Sequence, residues 1–455
     1  MTSVRTTALV MAALLIFSLT TAGAKPNNDM QPDVWTARGA VQYALRANPD
    51  IDIALLRIEQ AKSSAAMAAA SDYPLVNLKG EYSQTDNPMY SFGNILNQGA
   101  FDETIDFNSP GRTDNLLLQA EVRYRLYNGG KDQADQQAAQ ADLDGARVEI
   151  TAFRQNLGYE VVKTFQAIIQ AQKLVEVRQQ SLNAITAAFH VGEARYEAGD
   201  LLKQDLLNLE LQLSRASEEL IRSEHNLKIT KRIFLNLLGL EQTEVEIDPT
   251  VHGEQPLPPT CDYSNRHELT RLAAMEKGAQ AALAKARGEK LPSVDAFASY
   301  QFEQGMELDS NGDSWSAGLR MNYTLYDGSR SDAGIGRAKS KLLEILSLRR
   351  KTELALGLEI KRAELLYQQA LERLTVTRKM VGVAEEVARL SRERFKEGVI
   401  LASDLIDYEM RLSDAHARHL SAEAEHQVAI ANLRRAAGYE QFTDQNPDSQ
   451  PEITQ

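Results

Sequence analysis

Four short stretches of the chain alternate between apolar and polar residues. The two longer ones, 118–126 and 315–325, each hold this period of two over at least nine residues. A shorter alternating stretch precedes each of them, at 76–82 and at 294–302. Alternation with a period of two is typical of a β-strand with one apolar face. The pattern therefore predicts four strands in two amphipathic hairpins, at about 75–127 and about 293–326.

The rest of the chain consists mainly of two long tracts without proline. No proline occurs from Gly111 to Asp248 or from Ser293 to Asn446. Between Leu143 and Ile168 apolar residues recur every three or four positions, which is typical of a coiled-coil seam. An unbroken helix from Lys131 to Ala198 would be about 100 Å long at 1.5 Å per residue. The tracts predict two pairs of long helices, at about 129–239 and about 328–438.

The two halves of the chain repeat each other. The hexapeptide at 124–129, Tyr-Arg-Leu-Tyr-Asn-Gly, returns at 323–328 as Tyr-Thr-Leu-Tyr-Asp-Gly, a displacement of 199 residues. The same displacement carries Gly239 onto Gly438, which indicates a duplication. Earlier in each half the displacement is 218, from Pro74 to Pro292. The additional residues of the first half fall in 84–114, where Asn, Gly and Ser predict a loop.

These features divide the chain into five segments. An apolar run followed by Ala22-Gly23-Ala24 is typical of a cleaved signal peptide. Clustered prolines between the halves indicate a linker. The expected segments are a signal peptide (1–24), a first repeat (25–248), a linker (249–264), a second repeat (265–440) and a polar C-terminal tail (441–455).

Composition narrows the classes of function. The formal net charge is −13, which argues against a nucleic-acid partner. Cys261 is the single cysteine, so no disulfide can form within the chain. The chain contains no Gly-rich phosphate loop, no Gly-x-Ser-x-Gly motif and no metal-ligand cluster of the usual spacing. We therefore expect neither an enzyme nor a bound cofactor or metal.

The strands decide between two remaining interpretations. About 9–11 residues of tilted strand cross a bilayer, and aromatic residues such as Tyr82, Tyr127, Trp315 and Tyr326 tend to mark the ends. Four strands cannot close a barrel alone, and open edges in lipid would leave backbone groups without partners. We therefore expect a barrel shared between subunits. The alternative is a periplasmic coiled-coil structural or adaptor protein without a membrane barrel, whose four strands form a sheet with one face in water.

The order and doubling of these features resemble the TolC family of outer-membrane efflux channels. The Tyr-x-Leu-Tyr-(Asn/Asp)-Gly junctions, Ala44-Leu45-x-x-Asn48-Pro49, and the twin Arg-(Tyr/Phe)-x-x-Gly-x-x-x-x-x-Asp-Leu motifs at Arg195 and Arg394 carry this resemblance. It covers about 35–439. It implies a mainly α fold in which long helices form an α-barrel in the periplasm. Each of three subunits would add four strands to one 12-stranded membrane β-barrel.

The resemblance also implies a function and partners. The expected function is a passive trimeric duct in the outer membrane, serving a tripartite efflux or type I secretion system. Its partners would be a periplasmic adaptor (membrane fusion protein), an inner-membrane pump of RND or ABC type, and outer-membrane lipid. The sequence carries no sign of the exported substrate.

The resemblance further implies where the functional residues lie. The helical tips at Gly199 and Gly398, with Leu201 and Val399, would dock the adaptor. Asp205, Asp404 and Asp407 would line the periplasmic gate, although acids in the first turn of a helix are also common on ordinary surfaces. Phe395 and Ile400 stand where the best-known members have a tyrosine and an arginine that lock the gate. Gly129 and Gly328 would form the strand-to-helix junctions.

Overall fold

The computed structural model describes residues 34–241, 244–248 and 255–442. The expected signal peptide, the linker residues 249–254 and the tail from residue 443 onward lie outside the described residues.

Helices of matched length dominate the fold. Helices α4 (Lys131–Glu197) and α7 (Arg330–Lys396) have 67 residues each, and helices α5 (Lys203–Leu237) and α8 (Ala402–Ala436) have 35 each. Each helix of the second pair begins and ends 199 positions after its counterpart, so the duplication read from the sequence extends to the bounds of the helices. The other helices are α1 (Ala37–Ala47), α2 (Pro49–Ala69), α3 (Pro88–Asn97) and α6 (His267–Gly288).

The two longest helices have different neighbours along their lengths. The first half of α4 lies against α2 and α6, where Lys285 pairs with Asp135 at 2.7 Å. Its second half packs against α5 and α8, where Lys173 pairs with Glu423 at 3.0 Å. Helix α7 packs in the same way against α6 and then α8. The chain therefore forms two antiparallel hairpins, α4–α5 and α7–α8, which lie side by side.

An apolar core ties the start of the described chain to the middle of the rods. Trp35 packs edge-on against Phe234, with ring centroids 6.3 Å apart, and Phe165 lies 6.0 Å from Phe234. All three side chains are almost completely buried. The short parallel pair of β1 (Val34–Trp35) and β4 (Glu246–Ile247) borders this core. Burial of such large aromatic side chains strongly stabilises the packing of the helices around this core.

The four predicted strands form a single antiparallel sheet at the opposite end from the helical tips. The strands are β2 (Leu75–Thr85), β3 (Thr113–Tyr127), β5 (Ser293–Gly305) and β6 (Ser310–Asn322). Their order is β2-β3-β5-β6, so the two hairpins pair through β3 and β5. Strands β2 and β6 are the two edges. No helix in the described ranges carries an apolar stretch long enough to cross a membrane.

The register gathers the predicted apolar positions on one face of the sheet. Val122 pairs with Val76 on one side and with Ala298 on the other, and Ala298 pairs with Ala317. Directly paired residues point to the same face of a sheet, so one apolar surface runs across all four strands. The opposite face is polar; its central row contains Asn77, Glu121, Ser299 and Ser316.

Three details of the predicted hairpins are wrong. Strand β6 ends at Asn322 instead of continuing to Tyr326, because its partner strand begins only at Ser293, directly after a proline. An irregularity between Arg125 and Tyr127 pairs Tyr127 with Val294, so that Tyr127 replaces Leu126 in the apolar alternation. Such an extra residue is typical of a bulge.

The third detail concerns the region predicted as a loop. Residues 84–114 contain a helix, α3 (Pro88–Asn97). The side chain of Asn87 accepts a hydrogen bond from the backbone N–H of Met89 at 3.1 Å, and Pro88 occupies the first helical position. Both features favour the start of a helix.

Candidate functional site

Each helical hairpin reverses at a glycine in the left-handed region. Gly199 has φ 86° and Gly398 has φ 77°. Next to them, the N–H of Asp200 donates to the carbonyl of Arg195 at 2.8 Å, and the N–H of Val399 donates to that of Arg394 at 2.9 Å. These bonds end α4 and α7 in the same way, and glycine suits the position because it has no Cβ to resist a positive φ. The reversals therefore form two equivalent tips.

The three predicted gate acids lie just beyond the tips, in or near the first turns of α5 and α8. Asp205 is half-buried, whereas Asp404 and Asp407 are exposed on one side of α8. The carboxylate of Asp404 accepts a hydrogen bond from the N–H of Leu401 at 3.4 Å. Asp407 pairs with Arg411 at 2.7 Å, both side chains being more than half exposed. Asp404 and Asp407 thus face water at the end of the helical rods, and Asp205 does so in part.

The structure places Phe395 inside the subunit. Its side chain is 2% exposed and packs with residues from three other helices. We call this group the tip cluster; it consists of Ala188, Leu209, Phe395, Ala402 and Leu405. Ile400 and Leu201 pack on its border. Phe395 therefore joins the two hairpins of one chain.

The apolar residues exposed at the tips differ in part from those expected. Val399 is 68% exposed, as a docking residue would be, but Leu201 folds back against the tip cluster. Sequence reasoning missed Leu202 and Leu401, which are 71% and 63% exposed and stand 199 positions apart. Each directly precedes a helix, so its side chain lies outside the packed face.

Arg195 is another residue that sequence reasoning left without a role. Its Nη1 donates to the carbonyl of Phe395 at 3.1 Å and its Nη2 to that of Asp200 at 3.3 Å. The guanidinium carbon lies 5.4 Å from the centroid of the Phe395 ring, a cation–π distance. The sequence did point to Arg195, because this residue begins the doubled Arg-(Tyr/Phe)-x-x-Gly motif. The counterpart, Arg394, is exposed.

The predicted junction glycines lie between the sheet and the long helices. Gly129 and Gly328 both have positive φ, 72° and 67°. The preceding Asn128 and Asp327 accept hydrogen bonds from the first N–H groups of α4 and α7, at 3.1 Å from Lys131 and 2.8 Å from Ser331. The residues of the repeated hexapeptide thus turn the chain from strand to helix and cap that helix.

Solved structures share this architecture. The outer membrane protein VceC from Vibrio cholerae superimposes with a TM-score of 0.74 at 18% identity, over 89% of this chain and 96% of that chain. The CmeC outer membrane channel of Campylobacter jejuni gives a TM-score of 0.77 at 14% identity, over 90% and 87%. The fold is that of the outer-membrane channels, as the sequence predicted.

The sequence comparisons identify the family. The family model described as outer membrane efflux protein matches residues 40–240 and 263–439, and the chain belongs to this family. Nodulation protein T of Rhizobium leguminosarum bv. trifolii is 21% identical over 413 residues, which span 88% of this chain and 85% of that protein. The Bordetella pertussis protein CyaE is 22% identical over 416 residues, which span 88% and 83%.

Membership in this family confirms the main prediction. The protein is an outer-membrane channel subunit with a large periplasmic extension of helices. The family and fold are those of transport channels. The alternative of a periplasmic structural or adaptor protein without a membrane barrel is therefore not supported.

Proposed function

We propose that three copies of this chain form one passive export duct. The observation that carries the proposal is a four-stranded sheet with a continuous apolar face and two unpaired edges, β2 and β6. In lipid, the backbone groups of those edges would lack partners at a cost of several kcal/mol each. Pairing β6 of each subunit with β2 of the next removes every edge. Three times four strands give a closed barrel of twelve, with the apolar face toward lipid and the polar face toward the lumen.

The duplication supports a matching arrangement of the helices. Within one chain, α4 packs against α8. Adding 199 to the residue numbers of α4 gives α7, and subtracting 199 from those of α8 gives α5. The equivalent contact therefore pairs α7 with α5 of the neighbouring subunit. By this rule Arg394 meets Tyr196 of the neighbouring subunit, as Arg195 meets Phe395 within the chain. Six hairpins then alternate around the axis and prolong the duct through the periplasm.

The tips form the periplasmic mouth in this arrangement. Asp205, Asp404 and Asp407 from three subunits bring nine carboxylates around one axis. Such a ring attracts cations and repels anions. The tip cluster and Arg195 hold the two hairpins of each chain together against the mutual repulsion of these charges. Apolar packing thereby takes over the locking role of the tyrosine and arginine that this chain lacks at Phe395 and Ile400.

The exposed apolar residues at the same end provide a surface for an adaptor. Gly199, Gly398 and Val399 lie at the tips together with Leu202 and Leu401. Exposed apolar residues clustered at the end of a rod are typical of a contact with another protein. We propose that a periplasmic adaptor docks there and connects the duct to an energised inner-membrane pump of RND or ABC type. The chain itself does no chemistry on its cargo.

Cysteine cross-linking between the sheet edges tests the assembly. In a Cys261→Ser background, we would combine Asn77→Cys in β2 with single cysteines at successive positions of β6. Pairing of the edges predicts cross-linked dimers and trimers at alternate β6 positions. The control pairs Glu121→Cys, in the central strand β3, with the same β6 series and is expected to give none. Absence of any edge cross-link in membranes that contain the protein would overturn the shared barrel.

A further inference from the structure

Helix α3 lies on the polar face of the sheet. The side-chain amide of Asn97 donates to Glu303 at 3.0 Å, and that of Gln98 donates to Asn115 at 3.1 Å. The side-chain amide of Asn94 donates to the hydroxyl of Thr113 at 3.0 Å. All three partners belong to the face that carries the polar row of Glu121 and Ser299.

Two glycines allow this close approach. A Cβ at Gly312 would lie 2.1 Å from the carbonyl oxygen of Asn97, and a Cβ at Gly305 would lie 2.0 Å from the side chain of Gln98. Neither glycine has a positive φ, so close packing of α3 explains them and backbone conformation does not. Ser91, Ile95 and Gln98 are buried against the sheet at 2% exposure or less. The helix is therefore seated firmly on this surface.

The side of α3 turned away from the sheet is apolar and exposed. Met89 on this side is 81% exposed and Leu96 49%, and Tyr90, on the flank of the helix, is 66% exposed. The loop that follows is stiffened by aromatic contacts, because the ring of Phe92 lies 4.6 Å from that of Phe107 and 6.0 Å from that of Phe101. An apolar surface held rigidly in water is costly unless another surface covers it.

The position of α3 along the sheet shows at which end of the duct this helix lies. The long helices leave the sheet at Tyr127 and Asn322, whereas α3 lies beside the hairpin turns at the other end. Because the helices extend into the periplasm, the turns face the exterior. Helix α3 thus lies at the outer mouth, on the lumen side of the wall.

Space in the lumen determines what covers the apolar side. Twelve strands about 4.8 Å apart and tilted by about 40° enclose a backbone circle of about 12 Å radius. A helix with its side chains is about 10–12 Å across. One helix on the inner wall therefore fills most of the distance from wall to axis, and three of them meet at the centre.

We propose that the three copies of α3 in the assembled channel pack against one another through Met89, Tyr90 and Leu96 and close the outer mouth. This inference rests on the proposed trimer. It gives the duct a second barrier, at the opposite end from the periplasmic tips, which bars entry of external solutes into the lumen. Export then requires the three α3 helices to move apart from one another at the outer mouth.

Labelling of a cysteine inside the lumen tests the barrier from the cell exterior. In the Cys261→Ser background, Ser299→Cys provides a thiol on the polar face below α3, and intact cells are treated with a membrane-impermeant polyethylene-glycol maleimide. We expect slow labelling. Gly312→Leu should displace α3 and raise the labelling rate by about tenfold or more, since removing a constriction opens the pore to large solutes. The control Ser314→Leu introduces the same side chain on the same strand and face and should not raise it.

A cross-link measures the contact of the helices directly and does not depend on the folding of the Gly312 variant. Tyr90→Cys in the same background should give dimers and trimers with a short bismaleimide. The inference is overturned by fast labelling of Ser299→Cys in the parent, or by a lack of Tyr90→Cys cross-links while Asn77→Cys still cross-links to β6. Loss of both sets of cross-links would instead reject the shared barrel.

Discussion

The guanidinium of Arg195, on the first helical hairpin, donates a hydrogen bond of 3.1 Å to the backbone carbonyl of Phe395 on the second. It also lies 5.4 Å from the centre of the Phe395 ring. Because the acceptor is a backbone atom, the bond depends on the position of helix α7 and not on the identity of residue 395. Arg195 thereby couples the two tips of the chain through a backbone carbonyl that any residue at position 395 would supply.

Removing this link should loosen the periplasmic mouth. Arg195→Met keeps much of the aliphatic packing but loses the hydrogen bonds, each worth about 1.5–3 kcal/mol when one partner is charged. We expect a higher mean conductance of purified channels in planar bilayers. The control is Arg222→Met, which removes the same charge from α5, where Arg222 pairs with Glu218 and Glu219 of its own helix. Equal conductance in the two variants would contradict a latch at Arg195.

The proposed contact between subunits can be tested by a matched pair of cross-links. Lys173 and Glu423 pair at 3.0 Å within the chain, and their counterparts by the 199-residue displacement are Glu372 and Glu224. With Cys261 replaced by serine, Lys173→Cys with Glu423→Cys should cross-link within one subunit. Glu224→Cys with Glu372→Cys should join neighbouring subunits and give multimers on denaturing gels. A second pair that gave only monomers would reject the contact between α7 and α5 of the next subunit.

The register of the sheet predicts which strand positions tolerate charge. Leu319 lies on the apolar face opposite Ala296, whereas the neighbouring Arg320 lies on the polar face opposite Asp295. Leu319→Arg should cost about 2–4 kcal/mol per subunit if it lies near the midplane of the membrane, and it should reduce the trimer seen on unheated gels. Arg320→Gln is the control and should leave the trimer largely intact. The reverse order of severity would mean that the apolar face does not meet lipid.

The acids at the periplasmic mouth predict block by multivalent cations. Millimolar trivalent cation on the periplasmic side should block single-channel current, because clustered carboxylates bind such ions strongly. Changing Asp404 and Asp407 together to alanine should abolish the block. Asp414→Ala is the control, since Asp414 lies further along α8 and pairs with Arg418 at 2.6 Å. A block that persisted in the double variant would make the acids ordinary surface residues.

The adaptor-docking surface predicts a separation of assembly from export. Gly398→Leu places a side chain where φ is 77° and where even a Cβ would lie 3.2 Å from Nη2 of Arg195. We expect export to fail while the amount of trimer stays normal. Gly382→Leu, in the second half of α7 where a Cβ would meet no atom within 4 Å, should preserve both. Export that survived Gly398→Leu and the equivalent change at Gly199 would move the docking site away from the tips.

Much of the fold could be predicted because the chain repeats itself. The displacement of 199 residues, read from Tyr124–Gly129 and its copy, is also the displacement between the ends of α4 and α7. Apart from the irregularity at Leu126 and Tyr127, strand alternation predicted the correct faces of the sheet, because a strand with one apolar face keeps a strict period of two. Helix α3 was missed even though Asn87-Pro88 has the same form as Asn48-Pro49 at the start of α2. A ten-residue helix carries too short a pattern to stand out inside a polar segment.

The candidate site was harder to predict because its details depend on packing between distant segments. The motif around Gly398 located the tip but did not show that Phe395 is buried among Ala188, Leu209 and Leu405. Leu201 and Leu202 are identical residues side by side, yet only the first packs on that cluster. Which of two neighbours points inward at a helix start depends on how the two hairpins meet, and local sequence does not encode that.

The equal lengths of the paired helices also constrain how the reach of this channel can change. A heptad added to one helix alone would shift its tip by about 10 Å and leave it out of line with the others. Length must therefore change together in α4, α5, α7 and α8, between the central core and the tips. Adding seven residues to all four at positions related by the 199-residue displacement would give a channel about 10 Å longer with its mouth unaltered. Such a channel would fit an envelope in which the two membranes lie correspondingly further apart.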